Sequence, residues 1–403
     1  MLLTIALRSL LRQGRRTALN VLMIVAGFSS IVIFQGFTGH LLISMEEFSI
    51  RGLYGHYQVA RQSHWDNDPE LSLADKMTDP KSSTIVSLSE HPEVHYTSGR
   101  LAFFALLSTR RSSVSAMGWA FDPQVEVHFS DNLMLSEGEA FSGDPYEVLL
   151  GSGLKTRLQV EQGHHLTLVA QTLDGAINAL DLQVRGAFTT GTADFDSGTF
   201  YLPLQTAQDL LDTERVDRMM IMLNSKRSNS SIETEFQALL EGSEYSKKSW
   251  FELNDFYRQV MSYFQLQNRL IEGILMTLMF LAIMSTISMS VFERMGEIGT
   301  ARALGSRRRD ILFQFLLEGL CLGAIGSALA IPVSAWIAWT ITAMEFPLVL
   351  PGSSITYPIE IAVLPSAFLH ATVVALLAAL LASVAPAYRA ARMQITEALR
   401  ASL

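Results

Sequence analysis

Four stretches of the chain are apolar on every side rather than on alternate positions: residues 17–43, 271–292, 311–342 and 361–385. Each exceeds the roughly 20 residues that a helix needs to cross a hydrocarbon core of about 30 Å, so each predicts a membrane-spanning helix. Between the first and second the pattern changes. Short alternating runs at 147–150, 165–170 and 181–188 read as half-buried strands punctuated by Gly and Asp turns, and helical periodicity appears at 204–211 and 232–240. The fold class predicted is therefore an α-helical membrane protein with four transmembrane helices plus a large extracytoplasmic α+β domain inserted between helices 1 and 2. That domain has enough chain to bury its own core, in one or two subdomains, with the Ser-rich stretch 225–231 as a loop.

The flanks refine this picture. The first apolar run overshoots a bilayer and predicts an outward stalk, and residues 254–268, with Phe256, Val260 and Phe264 as an apolar stripe, predict a second stalk leading into the second span. Arg8, Arg12, Arg15 and Arg16 precede the first span and could mark a secretory signal, but no clean cleavage site follows, so it is read as a membrane helix.

Composition agrees with a membrane protein. Of 403 residues, 49% are hydrophobic and 17% charged, below the roughly 25% typical of soluble domains. The single cysteine, Cys321, excludes an intrachain disulfide. The net charge of −9 argues against nucleic acid as a partner. Residues 44–265 hold 31 Asp and Glu against 17 Lys and Arg, so the acidity belongs to the inserted domain.

Arginines set the expected orientation. Four lie in the first sixteen residues, five in 293–310 (Arg294, Arg302, Arg307, Arg308, Arg309), and Arg389, Arg392 and Arg400 in the tail, whereas 343–360 has no Lys or Arg. The positive-inside rule then makes both termini and the middle loop cytoplasmic. The expected organisation is a cytoplasmic amphipathic helix at 1–16, a first span and stalk at 17–43, the extracytoplasmic domain at 44–265, and a stalk and second span at 266–292. A coupling loop at 293–310, a third span at 311–342, a short outer loop at 343–360, a fourth span at 361–385 and a cytoplasmic tail at 386–403 complete it.

Several patterns suggest chemistry and fail. Gly151-Ser152-Gly153-Leu154-Lys155-Thr156 follows a strand like a phosphate loop, but Leu154 stands where Gly must precede Lys, which leaves a glycine-containing turn before a helix. His91 and His95 with Glu93 are separated by Pro92, which breaks the helix that would align two metal ligands. His164, His165 and Asp194-Phe195-Asp196 read as solvated turns. No Ser, His and Asp grouping has the context of a nucleophile, so catalysis is not expected. Within the spans, Glu272, Glu318 and His370 are ionisable. Glu272 is expected beside Arg269 at an interface, and Glu318 paired with an arginine from the middle loop.

That loop reads Glu293-Arg294-Met295-Gly296-Glu297-Ile298-Gly299-Thr300-Ala301-Arg302-Ala303-Leu304-Gly305. Ile298, Ala301 and Leu304 fall on one helical face and Gly305 is a natural stop. The short helix is either a connector on the headgroups or a coupling helix for a cytoplasmic partner.

The segment resembles the permease family that includes FtsX, MacB, LolC and LolE, the mechanotransmission class of ABC transporters. Glu293, Arg294, Glu297, Ile298, Gly299, Arg302, Ala303, Leu304 and Gly305 match its acidic-basic pair, Glu-Ile-Gly and Ala-Leu-Gly pattern. Phe315-Leu316-Leu317-Glu318-Gly319 and 323–326 resemble the start of its third span. Arg8 to Thr17 resembles its amphipathic N-terminal helix, and Pro386-Ala387-Tyr388-Arg389-Ala390-Ala391-Arg392 with Glu397-Ala398-Leu399-Arg400 its C-terminal signature. Gly55-His56-Tyr57-Gln58-Val59, Leu149 to Leu154 and Tyr201-Leu202-Pro203-Leu204 are similar to its periplasmic part.

The resemblance implies a permease in the bacterial inner membrane that binds no cofactor itself. ATP and Mg would act through a partner ABC ATPase dimer docked on Glu293, Arg294, Glu297, Ile298, Ala301, Arg302, Leu304 and Gly305. Because the sequence opens at the amphipathic helix, the ATPase is expected on a separate polypeptide, and the size of the inserted domain favours the MacB and Lol branch over the shorter FtsX. A second permease copy or a homologous permease, membrane lipids, and a periplasmic carrier or membrane-fusion protein are the other implied partners. Gly319 and Gly323 are spaced for close helix packing, with Ala375, Ala379 and Ala382 as a matching small-residue face. Extraction of a lipidated protein or other amphiphile is the favoured activity, with peptide or drug efflux second. A non-transporting regulator of a cell-wall enzyme or sensor is the rival from another class.

Overall fold

The computed structural model describes residues 14–66, 73–126, 134–224, 230–349 and 356–393. Its described residues divide into two compact units, one holding those up to Ile43, Gln259–Pro347 and those from Pro358 onward, the other Ser44–Arg258 with Leu348–Tyr357.

The first unit is helical. It is built from α1 (Gly14–Phe48), α2 (Asp255–Glu293), α3 (Met295–Ala303), α4 (Arg308–Ala343) and α5 (Pro365–Arg392). The four long helices are each long and apolar enough to cross a membrane. Their shared core takes Ile24, Phe28 and Val32 from α1, Ile283 and Ile287 from α2, Phe315 from α4 and an alanine face of α5 that includes Ala371, Ala375, Ala378, Ala379 and Ala382. Large apolar side chains also face outward, among them Leu22, Leu278, Trp336, Trp339 and Leu369. This two-sided apolar character suits a lipid solvent, which rewards no polar outer face.

Three pairs of polar groups meet inside the bundle. Thr286 Oγ1 lies 3.0 Å from Asn20 Oδ1, Ser29 Oγ 3.0 Å from Ser334 Oγ, and Asn268 Nδ2 donates to Thr38 Oγ1 at 3.3 Å. In hydrocarbon an unpaired polar group is costly, so such pairs fix helix partners as well as contributing roughly 0.6 kcal/mol each.

The fourth long helix differs from the sequence expectation at both ends. It begins at Pro365 rather than at 361, and it runs through Pro386 to Arg392. Proline is favoured in the first helical turn, where its missing N–H costs nothing. The preceding residues are held elsewhere: Ile361 N donates to Thr342 Oγ1 at 3.1 Å and Ala362 N to Gly36 O at 3.2 Å. Gly36 permits that approach, since a Cβ there would lie 2.6 Å from Ala362 O. The N-terminal amphipathic helix lies outside the described residues up to Gln13, and Gly14 to Thr17 belong to α1. Glu397 to Arg400, Ser225 to Asn229 and residues 350–355 of the segment expected as a short outer loop also lie outside them.

The second unit is an α+β domain whose main sheet has, among the described residues, ten strands: β1 (Tyr57–Arg61), β2 (Val94–Ser108), β3 (Ser113–Phe121), β4 (Leu135–Gly138), β5 (Glu147–Gly151), β6 (His165–Gln171), β7 (Ile177–Phe188), β8 (Thr199–Pro203), β9 (Arg218–Leu223) and β10 (Tyr245–Ser249). The 15-residue β2 serves two cores. Its first half pairs with β9 in the order β10-β1-β9-β2, and helices Ser83–Ser89 and Ser230–Leu240 enclose a core with Tyr57, Val59, Leu88, Ile221 and Phe236. From Leu101 onward β2 pairs with β3 on one side and β6 on the other. The pairings β3–β8, β8–β5, β5–β7 and β7–β6 complete the circuit, giving a six-stranded barrel with β4 added to β7.

Alternation explains the barrel's interior: Leu101, Phe103, Ala105 and Leu107 of β2 are all buried, as are Leu166, Leu168 and Ala170 of β6. Gly118 of β3 makes room for Phe200, whose Cζ would lie 2.6 Å from a Cβ at that position.

Two local expectations are corrected here. Asp196 is not a solvated turn residue. It is 2% exposed, and its carboxylate accepts from Thr189 Oγ1 at 2.7 Å, Thr190 Oγ1 at 2.7 Å and Thr190 N at 2.9 Å. The start of α2 also turns a different side inward: Phe256 is 67% exposed while Tyr257 is buried against Trp250, their rings 4.9 Å apart. Asn254 sets this rotation, because its Oδ1 accepts from Tyr257 N at 2.9 Å and its Nδ2 donates to Ser49 Oγ at 2.8 Å.

Candidate functional site

The segment between α2 and α4 is where the sequence motif falls. The chain leaves α2 at Glu293 and breaks at Arg294, whose backbone (φ −106°, ψ 15°) caps α3. Helix α3 ends at Ala303, and Gly305 takes φ +100°, a left-handed stop that other residues adopt only under strain. Arg307 N then donates to Asp310 Oδ2 at 3.0 Å, which starts α4.

The two sides of α3 are not those expected from the sequence. Ile298 is 7% exposed and belongs to the membrane-helix core, with Gly299 buried beside it and Ala301 half-buried. Glu297 and Thr300 face outward from α3, flanked by exposed Glu293 at the end of α2 and by Leu304, 87% exposed, on the turn after α3. Ile298 and Leu304 therefore separate: a helix ending at Ala303 leaves Leu304 on the turn, where its direction follows the cap rather than the helical period.

The two arginines of the motif, Arg294 and Arg302, reach back to the bundle. Arg294 Nη1 lies 3.2 Å from Glu318 Oε2 on α4, and its Nε lies 3.2 Å from Glu297 Oε2. Its guanidinium also stands over the Phe315 ring, 5.6 Å from the centroid. Glu318 is 3% exposed, so the expected arginine pairing is formed in the interior. Arg302 Nη1 donates to Ala391 O at 3.1 Å and Met393 O at 3.0 Å, at the end of α5. The sequence carries no sign of this contact, because its acceptors are backbone carbonyls.

Gly319 and Gly323 lie where α4 meets α5. A Cβ on Gly319 would stand 2.8 Å from Ser383 Cβ, and one on Gly323 2.9 Å from Ala379 Cβ. Ala375, Ala379 and Ala382 are buried on the facing helix. Glu272, expected beside Arg269, meets His370 at 3.0 Å. His40 stands 3.4 Å from Glu360.

The decoys resolve into structural roles. Gly151 and Gly153 let helix Ser152–Leu158 lie against segment Ala193–Gly198, since a Cβ on Gly151 would collide with the Asp196 carbonyl and one on Gly153 would stand 2.9 Å from Ser197 Cα. His91 Nε2 lies 3.0 Å from Glu235 Oε2. Among the described residues no group of three His, Cys, Asp or Glu could hold a metal ion. Within the inserted domain, burial followed by the nearby Glu126 charge pushes the Tyr96 phenol up to about 12.

Four membrane-length helices, an α+β domain between the first and second, and a short helix between the second and third define an FtsX-like ABC permease of the type VII class. The chain belongs to the MacB-like branch of that class: the family model described as MacB-like periplasmic core domain matches residues 17–239, and the FtsX-like permease C-terminal model matches residues 270–395. The chain is 25% identical over 414 aligned positions to the macrolide export ATP-binding/permease protein MacB of Escherichia coli O157:H7, covering 98% of this chain and 60% of that protein. It is 29% identical over 162 positions to MacB of Bradyrhizobium diazoefficiens, covering 39% of this chain and 24% of that protein. The chain thus spans about 60% of the length of the full-span relatives it matches. The solved periplasmic region of MacB from Actinobacillus actinomycetemcomitans overlaps 53% of this chain and 95% of its own, at 14% identity and a TM-score of 0.36.

Proposed function

We propose that this chain is the membrane part of an ABC transporter in the bacterial inner membrane, driven by a nucleotide-binding dimer that docks on the outward side of α3. The observation that carries the reading is an exposed surface on and beside α3: Glu297 and Thr300 project from the helix, Glu293 at the end of α2 and Leu304 on the following turn are exposed at its flanks, and the opposite side, at Ile298, is sealed into the bundle. A solvated connector needs no buried anchor, whereas a part that receives force does. ATP and Mg would bind the partner, and the inserted domain would change position or shape as the dimer closes. A second permease copy or a homologous permease completes the assembly, with both termini and α3 on the cytoplasmic side.

The cargo is an amphiphile handled on the outer side, first a lipidated protein or similar molecule passed to a periplasmic carrier. Support comes from the bundle's scarcity of polar corridor. Its buried polar residues among the described ones are mainly Ser, Thr and Asn, and the charged one, Glu318, is held by Arg294. A hydrophilic solute would find no path there. The second reading, drug or peptide efflux through a membrane-fusion protein, is favoured by the macrolide export named in the relatives' descriptions.

Depletion of the protein in its own cell tests both. Lipoproteins accumulating at the inner membrane support the first reading. Normal lipoprotein sorting with raised sensitivity to macrolides or peptides replaces it with the second.

A further inference from the structure

Beyond the buried anchor at Ile298, α3 is fastened at each end to a different membrane helix. At its start, Arg294 reaches Glu318 of α4 at 3.2 Å, and Ser290 Oγ stands 3.5 Å from the other carboxylate oxygen of Glu318. At its end, Arg302 donates to the carbonyls of Ala391 and Met393 at 3.1 and 3.0 Å. The last carbonyls of a helix have no partners within it, and the negative end of the α5 dipole favours a guanidinium there. Between these two fastenings Ile298 is buried in the common core. The covalent connections on either side are the break at Arg294 and the turn around Gly305, both of which a nine-residue helix could swing about.

We propose that Arg294 and Arg302 are positioning residues that clamp α3 across α4 and α5, so that a displacement of α3 is delivered to the α4–α5 pair instead of being absorbed at the break after Glu293. The proposal rests on the coupling role given to α3 above. The α4–α5 pair is suited to receive the load, since the contacts at Gly319 and Gly323 leave no gap between the two helices. Arg302 acts through the end of α5 and touches no cargo.

The test uses the full chain in nanodiscs of phosphatidylethanolamine and phosphatidylglycerol, with the ATPase that co-purifies with it. Hydrogen–deuterium exchange over residues 295–304 compares wild type with Arg302→Ala, Arg302→Lys and Glu318→Gln. The clamp requires α3 amides to exchange about tenfold faster in Arg302→Ala and Glu318→Gln, as expected for losing a charge-assisted hydrogen bond, with Arg302→Lys intermediate. Unchanged exchange in Arg302→Ala and Glu318→Gln overturns the clamp and leaves the coupling reading standing. A second readout follows the distance between spin labels at Leu22 and Leu377 on addition of ATP. With the ATPase added to saturation, Arg302→Ala should lose the ATP-driven distance change. A distance change as large as in wild type overturns the positioning role. If wild type itself shows no ATP-driven change, the coupling reading fails, and the exchange measurement alone decides the clamp.

Discussion

Arg100 and Glu126 form a two-pronged ion pair in the interior of the inserted domain, with Arg100 Nε 3.2 Å from Glu126 Oε1 and Nη2 bonded to Oε2. Arg100 is 6% exposed and Glu126 fully buried. Arg100 Nη1 also donates to Leu53 O at 2.6 Å, which ties the chain following α1 to β2. Burial works to lower the pKa of the guanidinium, but the Glu126 charge and hydrogen bonds outweigh it and hold the pKa above its usual value. Removing one partner would strand the other charge away from water. Glu126→Ala should therefore cost about 3–5 kcal/mol, whereas the double change Arg100→Met with Glu126→Leu should recover most of it. Urea-dependent proteolysis of the inserted domain in the full chain measures both, and a single variant as stable as wild type would contradict the assignment.

The contact of α4 with α5 predicts a steric effect. A Cβ at position 323 would lie 2.9 Å from Ala379 Cβ, so Gly323→Val must separate the helices or distort them. Overpacking of this kind costs about 1–3 kcal/mol. Combining it with Ala379→Gly should restore much of the loss, read as the detergent-stability midpoint of the purified protein.

The long spans were legible because a helix in lipid is apolar on all sides, a signal that requires no knowledge of its neighbours. What was lost depended on nonlocal partners. The orientation of α3 was misread because one side faces other helices and the other faces away, and both tolerate apolar residues: Ile298 and Leu304 are alike in sequence and opposite in burial. Asp196 looked solvated because threonines at 189 and 190 satisfy its carboxylate, and hydroxyl residues in a turn carry no mark of burial. The barrel likewise closes only through β2 with β6, about 60 residues apart, which alternation in either strand does not encode.

Acid should loosen the inserted domain near His64. Burial, then the charge of Arg218, pulls this imidazole from 6.5 down to about 4. The folded state thus prefers the neutral ring, while the unfolded chain takes up a proton near pH 6.5. Stability rises with pH wherever the unfolded state binds more protons, so this contribution is complete above about pH 6.5 and falls as pH drops toward 4. The urea midpoint of the domain should decline over that window, and His64→Gln should flatten the decline. An equally steep decline in the variant would assign the effect to other groups.

Orientation can be read with thiols. In a Cys321→Ser background, a cysteine replacing Asp174, which is exposed in the inserted domain, should react from outside intact spheroplasts with a membrane-impermeant maleimide. One replacing Ser306, exposed in the turn after α3, should react only after permeabilisation. Reaction at Ser306 in intact cells would reverse the proposed topology, since the arginines around it belong on the cytoplasmic side.

Leu304 gives the sharpest test of where the ATPase docks. At 87% exposure it is far more open to contact than Ile298 at 7%, and it lies just past the end of α3, where a side chain can enter a partner's groove without disturbing the bundle. An aspartate placed in a desolvated interface would add an unpaired buried charge, which costs about 3–5 kcal/mol. Leu304→Asp should therefore weaken ATPase association at least tenfold in a pull-down from detergent while leaving membrane insertion and the fold of the inserted domain intact. Ile298→Asp should instead reduce the amount of folded protein, because that position is sealed among the membrane helices. The contrast separates docking from folding. If Leu304→Asp binds the ATPase as wild type does, the exposed surface on and beside α3 is not the docking surface, and the exposed arginines at 307–309 become the next segment to examine.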